Sequence, residues 1–338
     1  MSSTAIHGEP SNGFVAADFG DVRAEFYALL SGCGVYDLGW RAKIALTGAD
    51  RVRWLNGMIS NNVRDLATGH GVYAFLLNAQ GRIQADLYAF QRGRSLLVDT
   101  ERSQREKVLQ FLDHYIIADD VEVKDISDQL TALGLTGPGS RNVLERAGIL
   151  VSELGYLQFA DTMWNTVSIT VLHSGEEAKD SWQVWIAPEH VRALWDSLVK
   201  AGARPSGTSA LNLFRISRGI PQFGQDITER DLPQETGQMR ALNFTKGCYL
   251  GQEIVERIRS RGAVHRQFGA FSVAGPLPEP GTKIYADGKE IGEVTSSATL
   301  PLKGGDRPVA LGYLRREALG KELHAGAAKL TPSQTPIQ

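Results

Sequence analysis

The spacing of apolar residues along this chain switches period several times, and each switch marks an element. Val22, Phe26, Leu29 and Leu30 recur at helical spacing, which predicts a helix over 22–30 that stops at Ser31-Gly32-Cys33-Gly34. Residues 43–48 alternate as a strand and 49–59 return to helical spacing. Strands are expected at 71–77 and 83–90 around the turn Asn78-Ala79-Gln80-Gly81, and again at 95–99. A helix over 101–112 and a strand at 121–123 close the run. This order predicts an α+β sandwich with helices over one face of an antiparallel sheet.

A similar run begins with an apolar strand at 130–135, continues with a helix over 141–147 and strands at 167–172 and 182–186, and ends in a helix over 189–201. The turn Thr136-Gly137-Pro138-Gly139-Ser140 invites a phosphate-loop reading, but no Gly-Lys-Ser/Thr follows, and Ser140 or the turn reads as a helix cap. From Gln267 the pattern becomes short strands with Gly and Pro turns, and Asp287-Gly288 between two alternating runs is a two-residue hairpin signal. A small antiparallel barrel follows from it. The expected organisation is a flexible lead over 1–20, α+β units over 21–128 and 129–262, a barrel over 263–331 and a loose tail over 332–338.

Composition narrows the functions available. With 42% hydrophobic and 22% charged residues in 338, the chain is an ordinary globular protein with room for two or three domains. Its formal charge of −2 leaves no footprint for direct nucleic-acid binding, whereas a local patch of Arg257, Arg259, Arg261 and Arg266 suits an anionic small molecule. Two cysteines cannot supply the four ligands of a conventional iron–sulfur cluster, and the seven histidines show no ligand spacing, so no metal site is expected. The first residues lack a secretory or mitochondrial leader and no run reaches the ~20 apolar residues of a membrane span, so no membrane partner is expected. Together with low cysteine use, this makes the cytoplasm the expected compartment.

Chemistry concentrates at Lys246-Gly247-Cys248-Tyr249-Leu250-Gly251-Gln252-Glu253. Residues 252–261 read as a short amphipathic helix: Ile254 and Ile258 share a side, Glu253 and Arg257 form an i, i+4 pair, and Gly262 suits the C′ position. Cys248 then lies in the turn entering that helix, near its unpaired N–H groups and positive dipole end. An ordinary cysteine is only about 3% thiolate at pH 7, and making it mostly thiolate takes about 2.7 kcal/mol. A helix N-terminus supplies up to ~2 kcal/mol, and the Lys246 ammonium, folded over the sulfur, could supply the rest. Spacing leaves a plainer reading equally open, a small apolar residue at a helix start. Gln252 and Glu253 are expected to cap the helix and orient the loop. Cys33, flanked by glycines and far from any lysine or arginine, reads as a turn residue without chemistry.

The stretch Lys-Gly-Cys-Tyr-x-Gly-Gln-Glu resembles the signature of the YgfZ family of folate-binding proteins. Arg257 and the run Arg261-Gly262-Ala263-Val264-His265-Arg266 also fall where that family carries such residues. The resemblance implies work on the making or repair of iron–sulfur clusters, including those of a tRNA-methylthiolating enzyme, with Lys246 and Cys248 as functional positions. It implies iron–sulfur client proteins or assembly factors as partners. It implies a tetrahydrofolate as cofactor, its anionic tail near Arg257, Arg261 or Arg266. Gly34-Val35-Tyr36-Asp37-Leu38, Leu76 to Ile83, Gly134 to Pro138, Arg215 to Pro221, Asp226-Ile227 and Pro233-Gln234-Glu235 resemble a wider superfamily that includes the T-protein of the glycine cleavage system, a tetrahydrofolate-dependent aminomethyltransferase. That likeness covers 22–330 and implies a three-domain ring around a folate cavity: two ferredoxin-like α+β units and a C-terminal antiparallel β-barrel.

Two departures bear on the reaction. T-proteins carry two adjacent aspartates where this chain has Ala85-Asp86, so one carboxylate survives. Asp86 either faces the cavity or satisfies buried backbone N–H groups. The pterin-clamping glutamate of T-proteins has no clear counterpart in Ala178-Lys179-Asp180-Ser181-Trp182-Gln183, although Glu176 and Glu177 lie close by. The fold is therefore aminomethyltransferase-like without the full T-protein carboxylate set, and whether the chain is an enzyme stays open. The expected function is folate-dependent support of iron–sulfur enzymes through Cys248. The alternative is an aminomethyl or methyl transferase that uses Asp86.

Overall fold

The computed structural model describes residues 16–175, 180–262, 264–318 and 320–337. They form two compact units, one holding the chain up to Ala74 with Leu87–Leu211, the other Phe75–Asp86 with Asn212–Gln338. Along the first run α1 (Val22–Ser31), β1 (Gly34–Asp37), β2 (Arg41–Thr47), α2 (Arg51–Met58), β3 (Gly71–Leu77), β4 (Ile83–Gln91) and β5 (Leu96–Glu101) follow one another. Next come α3 (Arg105–His114), β6 (Glu122–Asp125), β7 (Thr131–Thr136), α4 (Ser140–Arg146), β8 (Phe159–Trp164) and β9 (Val167–His173). β10 (Ser181–Ile186), α5 (Val191–Lys200) and β11 (Arg204–Pro205) complete it.

The strands make a five-stranded sheet, β3-β4-β5-β2-β6, and a six-stranded sheet, β11-β1-β7-β10-β9-β8. In the latter, β1 runs parallel to β11 and antiparallel to β7. Phe90 and Leu97 of the first sheet pack in one cluster with Ala132, Leu172 and Trp185 of the second. The α+β expectation holds, but the turn expected at residues 31–34 gives way at Gly34 to a strand that joins the later sheet. A Cβ on Gly34 would lie 2.5 Å from Leu29, so only glycine lets β1 pass that close to α1. Cys33 is buried just before it and takes a hydrogen bond from Ser140 Oγ at 3.5 Å, and burial pushes its thiol pKa up. Ser140 is thus engaged by sulfur, while Gly139 holds the N-cap of α4.

A buried charge cluster sits within this unit. Arg41 Nε and Lys43 Nζ both donate to the Asp99 carboxylate, and the Lys43 and Asp99 side chains are 1% and 2% exposed. The Lys43 ammonium also lies 5.3 Å from the Trp185 ring centroid. A charge inside a strand as apolar as Leu-Leu-Val-Asp-Thr is tolerated only when paired in this way.

The second unit takes in α6 (Thr208–Arg218) from Asn212 onward, then α7 (Gln252–Arg261), followed by β12 (Arg266–Ala274), β13 (Lys283–Ala286), β14 (Lys289–Leu302), β15 (Gly305–Arg315), β16 (Leu323–Ala325) and β17 (Ala328–Ser333). These six strands close a barrel in the order β12-β15-β14-β13-β16-β17, every pair antiparallel. Phe271, Ile284, Val294, Leu323 and Leu330 lie in its core. Asp287 and Gly288 both take positive φ, 50° and 75°, the conformation their hairpin turn requires. The loose tail expected from 332 is instead held: β17 runs to Ser333, and buried Ile337 donates its N–H to Ser217 O at 2.8 Å. No helix among the described residues is long and apolar enough to cross a membrane.

Burial alone would raise the Asp99 pKa, but the Arg41 and Lys43 charges carry it below the ordinary carboxylate value. A depressed folded pKa stabilises above the unfolded value of about 3.9, and that share is lost as pH falls through the folded value. Urea unfolding at pH 7 should show Asp99→Asn costing about 3–5 kcal/mol, because Lys43 is left buried without its partner. The gap between variant and parent should narrow below about pH 4.

Candidate functional site

Between α6 and α7 the chain has only two short 3-10 turns, Pro233–Thr236 and Met239–Ala241, and buried carboxylates organise it. Asp226 accepts from Arg215 Nη1 at 2.7 Å, from the Gln222 N–H at 3.0 Å and from the Thr295 and Ser296 hydroxyls at 2.5 and 2.7 Å. Asp231 accepts from the Thr228 N–H and hydroxyl at 2.6 and 2.9 Å and from Arg266 Nη2. Glu235 takes the Leu232 N–H at 3.1 Å and Arg266 Nη2 at 3.2 Å. Arg215, Asp226 and Glu235, quoted above only as superfamily likeness, thus act here as clamps.

The clamped segment delivers the cysteine loop. Asn243 Oδ1 accepts the Thr245 and Lys246 N–H groups at 3.0 and 2.9 Å, a side-chain-closed turn. Lys246 is buried, and its Nζ lies 4.8 Å from the centroid of the Tyr249 ring. Tyr249 is also buried; burial, then the Glu256 charge, pushes its hydroxyl up to about 12, so it stays protonated at neutral pH. Between these two buried side chains Cys248 is exposed. The alternative of a packed apolar cysteine therefore fails for Cys248 and holds for Cys33.

Gly251 occupies the N-cap of α7 at φ 81°, a conformation that favours glycine. A Cβ there would stand 2.6 Å from Asn78 O, and one on Gly81 would stand 2.8 Å from Ile254 Cβ. The β3–β4 turn is therefore pressed against the first turn of α7. Gln234 Nε2 adds a bond to Val255 O at 2.9 Å, and Ile83 donates its N–H to Asp231 O at 3.1 Å. Gln252 is half-buried and donates its N–H to Tyr249 O at 3.1 Å, while Glu253 is exposed in the first turn, where a carboxylate suits the dipole. The helix start is set by glycine and not by a capping side chain.

The expected cations separate. Arg257 is exposed on α7, and Arg259 lies over the Phe244 ring at 4.6 Å and pairs with Glu256 at 3.5 Å. Arg261 ends α7, and its side chain lies outside the described residues, as do Glu176 to Lys179 of the pterin-clamp stretch. Arg266 bridges Asp231 and Glu235 and lies over the Tyr313 ring at 4.6 Å, so it is a structural bridge first. Asp86 is half-buried on β4, on the same strand face as Gln84. Sequence reasoning missed Asp231 and Tyr313, which lack any local pattern; the signal within reach was that an acid near Pro233 needs a basic partner if buried. Among the described residues no group of three or more His, Cys, Asp or Glu could hold a metal ion.

Comparison with known proteins covers nearly the whole chain. Residues 9–246 match the GCVT N-terminal domain, and residues 264–337 match the CAF17 C-terminal beta-barrel domain. The chain is 29% identical over 306 residues to an aminomethyltransferase of Rubrobacter xylanophilus, spanning 89% of this chain and 81% of that protein. It is 26% identical over 313 residues to an aminomethyltransferase of Geobacillus kaustophilus, spanning 90% and 86%. Among solved structures it is similar to the glycine cleavage system aminomethyltransferase T of Bartonella henselae, with a TM-score of 0.86 over 95% of this chain and 91% of that one. At 21% identity that likeness is one of fold.

Two glycines in the loop should differ sharply in their tolerance of a Cβ. Gly251→Ala introduces a Cβ into Asn78 O at a positive φ and should lose more than about 1 kcal/mol in urea unfolding. Gly247→Ala, with nothing within 4 Å of its Cβ, should stay within about 0.5 kcal/mol of the parent.

Proposed function

The chain belongs to the family of the GCVT N-terminal domain and carries a CAF17-type C-terminal β-barrel, and from that premise we propose that it binds a tetrahydrofolate and supports iron–sulfur cluster assembly or repair through Cys248. The observation that carries this reading is the exposure of Cys248 on a loop whose neighbours, Lys246 and Tyr249, are both buried. A loop anchored on either side of one outward thiol suits a sulfur that meets other molecules. As a thiolate, Cys248 would attack a disulfide or persulfide of an iron–sulfur client or assembly factor, forming a new S–S bond while the displaced sulfur leaves as thiolate. It could equally ligate an iron in passing or accept a one-carbon unit. Lys246 supports that role as a nearby cation held by the Tyr249 ring.

The residues present fit a folate in one respect. Gln84 and Asp86, half-buried on one face of β4, offer the donor and acceptor chemistry that the amino-pyrimidine edge of a pterin needs. A bound tetrahydrofolate would supply one-carbon or reducing chemistry, and this chain's part is to hold it and to present the thiol. The anionic tail would meet a cation of the set Arg257, Arg261 and Arg266, of which Arg257 is exposed on α7 and Arg266 starts β12. Tetrahydrofolate-dependent aminomethyl or methyl transfer on Asp86 is the second reading, favoured by the aminomethyltransferases to which the chain is similar.

Replacing Cys248 with Ala should abolish the rescue of iron–sulfur enzyme activity, tRNA methylthiolation included, in cells lacking the native protein; full rescue refutes the thiol role. Tetrahydrofolate at 100 times its Kd should raise the unfolding free energy by about 2.7 kcal/mol and slow the alkylation of Cys248. Consumption of a methylamine donor, lost on Asp86→Asn and kept on Cys248→Ser, would instead establish the transferase reading.

A further inference from the structure

The second unit contains a cleft of about 730 Å3 whose wall carries Arg82, Arg230, Arg266, Arg315 and Arg316. Glu235 and Glu317 are the carboxylates on that wall, so five arginines against two glutamates leave a formal +3, in a chain whose whole charge is −2. The guanidiniums come from separate segments: the β3–β4 hairpin, the loop after α6, the start of β12 and the end of β15. The fold has gathered them.

Gathering them costs energy that internal acids offset only in part. Arg266 and Arg315 stand directly opposite each other in the β12–β15 pair, an arrangement in which like charges repel. Asp231 and Glu235 compensate Arg266 alone. Among the described residues Arg315 has only Glu317 as an ion-pair partner, at 3.8 Å, with both side chains more than half exposed. Arg82 donates to the main-chain oxygen of Arg230 rather than to an acid. Neither Arg230 nor Arg316 has an ion-pair partner among the described residues, and both are exposed. A neighbouring cavity of about 230 Å3 shares Arg230 and Arg266 but is lined by Asp226, Asp231 and Glu293, which closes it to an anion. An anionic guest is thereby confined to the larger cleft.

We propose that this cleft binds a small flexible ligand bearing about three anionic groups, carboxylates or phosphates in a chain, gripped by Arg230, Arg315 and Arg316 with Arg266 behind them. Guanidinium forks pair bidentately with either group, so a free oligophosphate and a γ-linked run of glutamates on a folate share the required chemistry. The second source rests on the folate reading above.

Titration calorimetry with inorganic tripolyphosphate, with γ-linked triglutamate, and with tetrahydrofolate carrying one or three glutamates tests the proposal on the full chain. At least one oligoanion should bind with 1:1 stoichiometry and weaken as potassium chloride is raised. The double variant Arg230→Glu, Arg316→Glu, at exposed positions and checked for an unchanged Tm, should bind it about 100-fold more weakly. Binding of tripolyphosphate but not triglutamate assigns the cleft to free oligophosphate; the reverse, with triglutamyl tetrahydrofolate gaining over the monoglutamate, assigns it to the tail. Failure of both oligoanions to bind, or equal binding by the double variant, overturns the proposal. Monoglutamyl tetrahydrofolate that still binds in that event leaves the folate reading standing. Tripolyphosphate binding without any folate binding removes the folate reading and keeps the cleft.

Discussion

Three buried carboxylates, Asp226, Asp231 and Glu235, hold the part of this chain that regular secondary structure does not. Residues 219–251 run between α6 and α7 through a series of short-range turn hydrogen bonds, and without a long-range anchor such a span would sample many conformations. Each carboxylate is supplied with backbone N–H groups, hydroxyls or an arginine, so the desolvation of each anion is repaid locally. Arg215 and Arg266 enter this network from opposite ends of the segment, one on α6 and one on β12. The irregular span is consequently tied to α6, β12 and β14.

That determination explains how one thiol can be left outward while its neighbours are sealed. Asn243 closes the turn before the loop, the β3–β4 tip presses on the helix after it, and Lys246 and Tyr249 bury against each other. A lysine stem packs well on an aromatic face while its ammonium keeps an electrostatic partner in the ring. The same pairing seats the ammonium on the Tyr249 ring. The two cysteines thus illustrate opposite solutions, one hydrogen-bonded within a core and one presented to solvent.

How much of this could be read along the chain depends on the range of the forces involved. The hairpin at Asp287-Gly288, the strands at 71–77 and 83–90 and the helix over 252–261 follow from spacing and turn chemistry within a few residues, and they stand where expected. β1 and β11 escaped the reading because their stability comes from partners far away: Val35 pairs with both Leu135 and Pro205. The Lys-Gly-Cys loop was visible as a motif, yet the seat of Lys246 on Tyr249 was not, since local geometry decides it. Arg266 looked like a free cation until Asp231 and Glu235 were placed beside it. Arg82, Arg315 and Arg316 carry no mark in sequence that they share a wall.

The irregularity in β14 has a consequence of its own. Val294 lies opposite Gly312 and Ser296 opposite Leu311, so Thr295 is an extra residue that interrupts the up-and-down alternation of the strand. Because of that one-residue hiccup, two consecutive hydroxyls reach the same oxygen of Asp226. In an unbroken strand they would point apart. Removal of Thr295 would restore the alternation and take one hydroxyl from Asp226, leaving that carboxylate to Arg215, the Gln222 N–H and the Ser296 hydroxyl. The barrel therefore keeps count for a segment it does not contain.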